Sequence, residues 1–193
     1  IYTNITYPHR NNPPFIQGKK GYTIMDEPNP VGSYRRDFNI PDDWKGSEIF
    51  IHFDGVYSAM YLWVNGKKVG YSQGANNDAE FNITKYVKPG KNVLAVEVYR
   101  WSDGSYLEDQ DFFRYHGVAR DCYLYSRNKK RIEDLRVTPD LDSQYKNGTL
   151  AIDLNLKGNN LVTLELLDAK GKTVTATEVK GNGNISTIMK LEN

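Results

Sequence analysis

A single cysteine, Cys122, stands among the 193 residues, which excludes an internal disulfide framework and any multi-cysteine zinc site. Its setting, Cys122-Tyr123-Leu124-Tyr125, predicts a thiol buried in a strand. Charge of one sign is equally scarce. Lys and Arg number 25 against 24 Asp and Glu, a formal net charge of +1, so no field steers the chain toward nucleic acid or an anionic membrane. No run approaches the roughly 20 apolar residues of a membrane-crossing helix, and no leader of basic then apolar residues opens the chain. Histidine is confined to His9, His52 and His116, whose spacing matches no zinc motif. Neither nucleic acid nor membrane is therefore an expected partner. Helical periodicity is nearly missing too, and that absence turns attention to what is present.

Period-two alternation bounded by Gly, Asn, Asp and Pro recurs throughout, the mark of an antiparallel all-β chain. Residues 48–54 alternate Ile49, Ile51 and Phe53 with Phe50, His52 and Asp54. Residues 59–64 run into Asn65-Gly66, a strong hairpin signal, and 67–72 return as a strand. Strands are also predicted over 81–86, 92–101 and 120–126, with Lys88-Pro89-Gly90-Lys91 as the turn into 92–101. That strand is apolar on much of both faces, as expected inside a sandwich. The basic run Arg127-Asn128-Lys129-Lys130-Arg131 reads as a solvated connector and sets a boundary: one domain over 1–127, a second over 128–193. In the second, five short strands are predicted at 132–139, 149–156, 161–167, 173–179 and 185–191, the rhythm of an immunoglobulin-like sandwich. That fold takes ~100 residues and seven strands, so closing strands are expected beyond Asn193. The start at Ile1, inside an apparent loop, likewise suggests an upstream natural N-terminus. The Asn-x-Ser/Thr matches at Asn4, Asn82, Asn147 and Asn184 bear on function only in a secreted eukaryotic protein.

The most chemically loaded segment is 100–111, Arg-Trp-Ser-Asp-Gly-Ser-Tyr-Leu-Glu-Asp-Gln-Asp, directly after an apolar strand. Four carboxylates, Asp103, Glu108, Asp109 and Asp111, repel one another, whereas hydroxyl-rich ligands and hard cations both use clustered oxygen acceptors beside an aromatic plane. The plain alternative is a solvated acidic loop on a Ser-Asp-Gly turn.

An ordered series of segments then resembles glycoside hydrolase family two, and within it the long bacterial β-galactosidases. The series is Thr3-Asn4-Ile5-Thr6-Tyr7-Pro8, Asn12-Pro13-Pro14-Phe15, Gly32-Ser33-Tyr34-Arg35, Phe53-Asp54-Gly55-Val56-Tyr57-Ser58-Ala59, Leu62-Trp63-Val64-Asn65-Gly66, Val69-Gly70-Tyr71-Ser72-Gln73, the loop after Trp101, and Gly117-Val118-Ala119-Arg120-Asp121. One departure falls in the last segment, where Val118-Ala119 replaces the family's isoleucine-phenylalanine. The resemblance implies an all-β chain: a jelly-roll, galactose-binding-like sandwich followed by an incomplete immunoglobulin-like sandwich, with a catalytic (β/α)₈ barrel beyond it. The two catalytic glutamates belong to that barrel, so no catalytic residue is expected here. It also implies that Asn4, Ile5 and Asp103 reach the barrel's active site: Asn4 as an amide to a sugar hydroxyl, Ile5 as an apolar wall, and Asp103 as an acceptor that also ligates sodium. Magnesium would sit in the barrel, the substrate would be a β-galactoside, and the parent would be a homo-oligomer of the bacterial cytoplasm or periplasm. Trp101, Tyr106, Arg114 and His116 either line that cleft or pack within the loop. Glu108, Asp109 and Asp111 are expected to shape the loop, with Arg114 or Arg120 as ion-pair partners. Two other classes remain: an autonomous carbohydrate-binding module with Tyr57, Tyr61, Trp63 and Tyr71 as its platform, though their strand alternation favours a core face, and a purely structural or oligomerisation domain.

Overall fold

The computed structural model describes residues 29–108 and 115–192, with the backbone alone at Tyr106. The chain divides into two compact units, Ile1–Arg127 and Asn128–Asn193. In the first unit the strands are β1 (Val31–Ile40), β2 (Glu48–Phe53), β3 (Val56–Tyr57), β4 (Ala59–Val64), β5 (Lys67–Gln73), β6 (Ala79–Asn82), β7 (Gly90–Tyr99), β8 (Gly117–Val118) and β9 (Cys122–Arg127). A four-residue helix, α1 (Gly104–Leu107), lies between β7 and β8. One sheet has the order β1-β7-β4-β5, a second β6-β2-β9, and β3 pairs with β8. Every pairing is antiparallel.

Alternation sets the core. Ile49, Ile51 and Phe53 of β2 join Met60, Leu62 and Val64 of β4 and Val96 and Val98 of β7 in one buried cluster. Burying each such side chain contributes roughly 1.5–3 kcal/mol, which makes the two-sheet sandwich the stable solution for these strands. The Asn65-Gly66 hairpin forms as the sequence predicts: both residues take left-handed φ, 51° and 77°, which suits a two-residue turn whose twist matches the strands.

Two local expectations are corrected, and one strand has no counterpart among the predicted elements. β1 carries no strand signal of its own, because it is an edge strand whose Ser33, Arg35 and Asp37 show no apolar alternation; its register against β7, from Val31↔Tyr99 to Ile40↔Gly90, is a tertiary effect. The strand predicted over 81–86 ends at Asn82, whose side chain accepts from the Thr84 N–H (3.0 Å) and hydroxyl (2.6 Å). That Asx-type bond turns the chain, and Ile83 enters the core from the turn. Cys122, expected buried, is exposed at the first position of the edge strand β9.

The second unit holds β10 (Arg131–Leu141), β11 (Gly148–Leu167) and β12 (Thr173–Leu191) in one antiparallel sheet of order β10-β11-β12. The five predicted strands are thus three, the second and third fused in β11 and the fourth and fifth in β12. At the expected breaks the register slips between Leu156/Gly183 and Asn160/Gly181, and Gly158 and Gly183 both take φ of 75°. The Gly-Asn segments make a bulge instead of a chain reversal. Asn160 Nδ2 secures it by donating to Lys157 O (2.9 Å) and Gly158 O (3.0 Å). Ile152, Leu154 and Leu156 before the bulge share one core with Val162 after it and Met189 of β12.

Candidate functional site

β7 delivers the chain to the loop that holds Asp103. Trp101, only 3% exposed, anchors it. Its N–H donates to Asn29 Oδ1 (2.9 Å), and Asn29 Nδ2 donates back to Trp101 O (3.1 Å). The indole meets His116 edge to face at 4.9 Å and carries the Arg100 guanidinium at 4.7 Å. Trp101 and His116 therefore pack within the loop. Burial lowers the pKa of Arg100. Arg100 Nε and Ser102 Oγ are buried with no hydrogen-bond partner among the described residues, which makes this loop unusual, since such atoms are few in folded proteins.

Beyond Trp101 the backbone winds into a single helical turn. Ser102 N–H donates to Ser105 Oγ (3.0 Å), Ser105 N–H to Ser102 O (3.0 Å), Leu107 N–H to Asp103 O (3.2 Å) and Glu108 N–H to Gly104 O (2.8 Å). Asp103 occupies the N-cap position with helical φ, −57°, and ψ, −35°, and its side chain makes no capping bond. Asp103 stands exposed on this turn. Its charge is felt by Tyr71, whose phenol is raised above its ordinary pKa by burial first, then by Tyr61 and Asp103.

Glu108 has a different task. Its Oε2 accepts from the Ala75 N–H at 3.0 Å, tying the end of α1 to the turn after β5. It shapes the loop as expected, through a backbone amide instead of an arginine. Asn4, Ile5, Asp109, Asp111 and Arg114 lie outside the described residues, as does the side chain of Tyr106.

Tyr61, Trp63 and Tyr71 do not line a core face. Met60, Leu62 and Val64 take the core side of β4, so Tyr61 and Trp63 point to the outer face of the sheet, where Tyr71 and Tyr99 join them. Tyr61 meets Trp63, Tyr71 and Tyr99 at centroid distances of 6.0, 4.8 and 5.8 Å and angles of 48°, 47° and 80°, and Lys68 Nζ covers its ring at 4.1 Å. Tyr57 stands apart and donates its hydroxyl to Asn76 Oδ1.

His52 is set between Asp54 (3.1 Å), Asp78 (3.8 Å) and Glu80 (3.4 Å) and stacks on Tyr123. No local pattern announces this cluster, because Glu80 arrives from β6 and Asp78 from the position just before it. Among the described residues no group of three or more His, Cys, Asp or Glu can hold a metal ion. Asp103 supplies one carboxylate where a hard cation takes about six oxygens, so the described residues do not by themselves form a sodium site.

The sugar-binding domain model of glycosyl hydrolases family 2 matches residues 1–128. The chain belongs to glycosyl hydrolase family 2. Among related family 2 proteins, it is 46% identical over 159 residues to a β-galactosidase of Priestia megaterium, covering 80% of this chain and 15% of that protein. It is 40% identical over 195 residues to a β-galactosidase of Halalkalibacterium halodurans, covering 97% of this chain and 18% of that protein. The chain thus spans less than a fifth of the length of these two relatives. Among solved structures, a β-glucuronidase of an uncultured Clostridium superposes with a TM-score of 0.66 at 24% identity, over 84% of this chain and 29% of that one. A putative β-galactosidase of Bacteroides fragilis gives 0.66 at 23%, over 84% and 27%. These likenesses show the all-β fold. Asp103 sits in the matched region, four residues past the end of β7.

Proposed function

We propose that this chain is the non-catalytic N-terminal part of a retaining β-galactosidase, completing the galactose subsite and scaffolding a catalytic barrel outside this chain. The reading rests chiefly on Asp103, an exposed, uncapped carboxylate on a braced turn, in a chain 40% to 46% identical to β-galactosidases of which it spans 15% to 18%. An exposed carboxylate accepts strong hydrogen bonds from sugar hydroxyls. In the same reading Asn4 provides an amide and Ile5 an apolar wall, and Asp103 lends one oxygen to a sodium ion whose other ligands come from the barrel. Magnesium, where the enzyme uses it, belongs to the barrel, and the parent is a homo-oligomer.

Hydrolysis with retention needs two carboxyl groups about 5–5.5 Å apart, one with a raised pKa. Glu108 is engaged by the Ala75 amide and Asp103 is exposed, so neither suits the acid or the nucleophile. The isolated chain assayed on a chromogenic β-galactoside is expected to show no turnover, while the longer protein turns over; robust hydrolysis by the chain alone refutes the assignment.

The outward placement of Tyr61, Trp63 and Tyr71 favours a second reading, an autonomous carbohydrate-binding module. The crossed rings and the Lys68 cover offer no flat platform, which makes it the weaker one. Sub-millimolar galactose binding by the chain in calorimetry would promote it.

A further inference from the structure

We propose that Glu108 and Asn29 are positioning residues that together hold Asp103 in place; the inference rests on the reading that Asp103 contacts the sugar. α1 is four residues long, far below the length at which a helix is stable by itself, so its direction must come from tethers. Two exist. Asn29, 72 residues from Trp101 in sequence, grips both the N–H and the carbonyl of Trp101. Glu108, 33 residues from Ala75, accepts its N–H. The tethers flank the segment 102–107, and the bonds between Ser102 and Ser105 stiffen what lies between them. Both tethers are side chain to backbone, so they locate the loop without depending on a neighbour's rotamer. Neither side chain needs to touch substrate. Their effect passes through Asp103, because a displacement of ~1 Å at a contacting group can cost on the order of 100-fold in rate.

The distinction between a tether and a substrate ligand lies in what Glu108 must supply. A tether needs an acceptor oxygen, which glutamine retains; a charged ligand needs the carboxylate. The test uses the full-length enzyme, with kcat/KM on a chromogenic β-galactoside and the thermal midpoint of each variant. Glu108→Ala is expected to lower kcat/KM by roughly 10- to 100-fold, and Glu108→Gln to stay within about threefold of the parent, since its amide oxygen still accepts the Ala75 N–H. Residues acting as one unit are non-additive, so Asp103→Ala/Glu108→Ala should be no worse than Asp103→Ala alone. Asn29→Ala is the second probe, expected to show the same non-additivity should Glu108→Ala fail to fold. Losses that multiply, or Glu108→Gln as poor as Glu108→Ala, overturn the positioning role while leaving the subsite intact. An Asp103→Ala enzyme with unchanged kcat/KM overturns both the subsite and the tether that serves it.

Discussion

Asn92 offers the sharpest test of how the sandwich is held together. Its side chain is fully buried, 0% exposed. Its Oδ1 accepts from Lys88 N–H (2.9 Å) and Asn65 Nδ2 (2.8 Å), while its Nδ2 donates to Lys88 O and Gly90 O (both 2.8 Å). One amide thereby closes the turn into β7 and links it to the β4–β5 hairpin, where Asn65 also donates to Tyr86 O (2.9 Å) and accepts from Val93 N–H (3.0 Å). Asn92→Ala removes four bonds worth about 1 kcal/mol each. Lys88 and Gly90 are exposed residues whose backbone groups can turn partly to water, so the expected net loss is about 3 kcal/mol. At a urea m-value of about 1.5 kcal/mol/M, that lowers the midpoint by roughly 2 M. The assay is direct, because Trp44, Trp63 and Trp101 all fall in the first unit; tryptophan fluorescence during urea unfolding reports that unit alone. A loss below 1 kcal/mol would refute the claim that this amide organises the turn.

Two further outcomes follow from the core and its margin. Leu62→Ala, at a site with 0% exposure, is expected to cost about 3 kcal/mol in the same unfolding assay, and a loss under 1 kcal/mol would contradict the placement of β4 at the centre. Cys122 is exposed as a residue, yet it also lines a groove whose walls include Phe38, Ile51, Phe53 and Leu124 beside Arg36 and Asp37. Burial pushes its thiol up to about 11, with Arg36 opposing and Asp54 assisting. A raised thiol pKa means less thiolate, so alkylation by iodoacetamide at pH 8 should be roughly 100-fold slower in the folded chain than in urea; equal rates would contradict it.

What could be read from residues alone was what local pattern controls. Alternation in β2 and β4 and the Asn65-Gly66 turn appear in the structure because period two and a left-handed dipeptide are short-range properties. β1 was invisible, since its pairing with β7 imposes extension on a segment with no alternation of its own. Parity shows that the residues of β4 face two ways but not which face is the core, so the core face expected for Tyr61 and Trp63 is in fact that of Met60, Leu62 and Val64. At the site, Asp103 stood out as part of an acidic, aromatic loop. The tethers did not: Asn29 lies 72 residues from Trp101 and Ala75 lies 33 from Glu108, separations at which composition carries no signal. The bulge at Gly158 and Gly183 misled in a similar way, because glycine beside asparagine marks a turn and a bulge alike.

Asp103 is the residue proposed to complete the sugar site. Its side chain makes no capping bond and the residue is exposed, so Asp103→Ala should leave the thermal midpoint of the full-length enzyme within about 1 °C, as surface changes that break no bond usually do. The decisive measurement is kcat/KM of that variant on a chromogenic β-galactoside. A fall of about 100-fold, near 3 kcal/mol of lost transition-state stabilisation, is the predicted result; an unchanged kcat/KM in a folded enzyme would contradict the account.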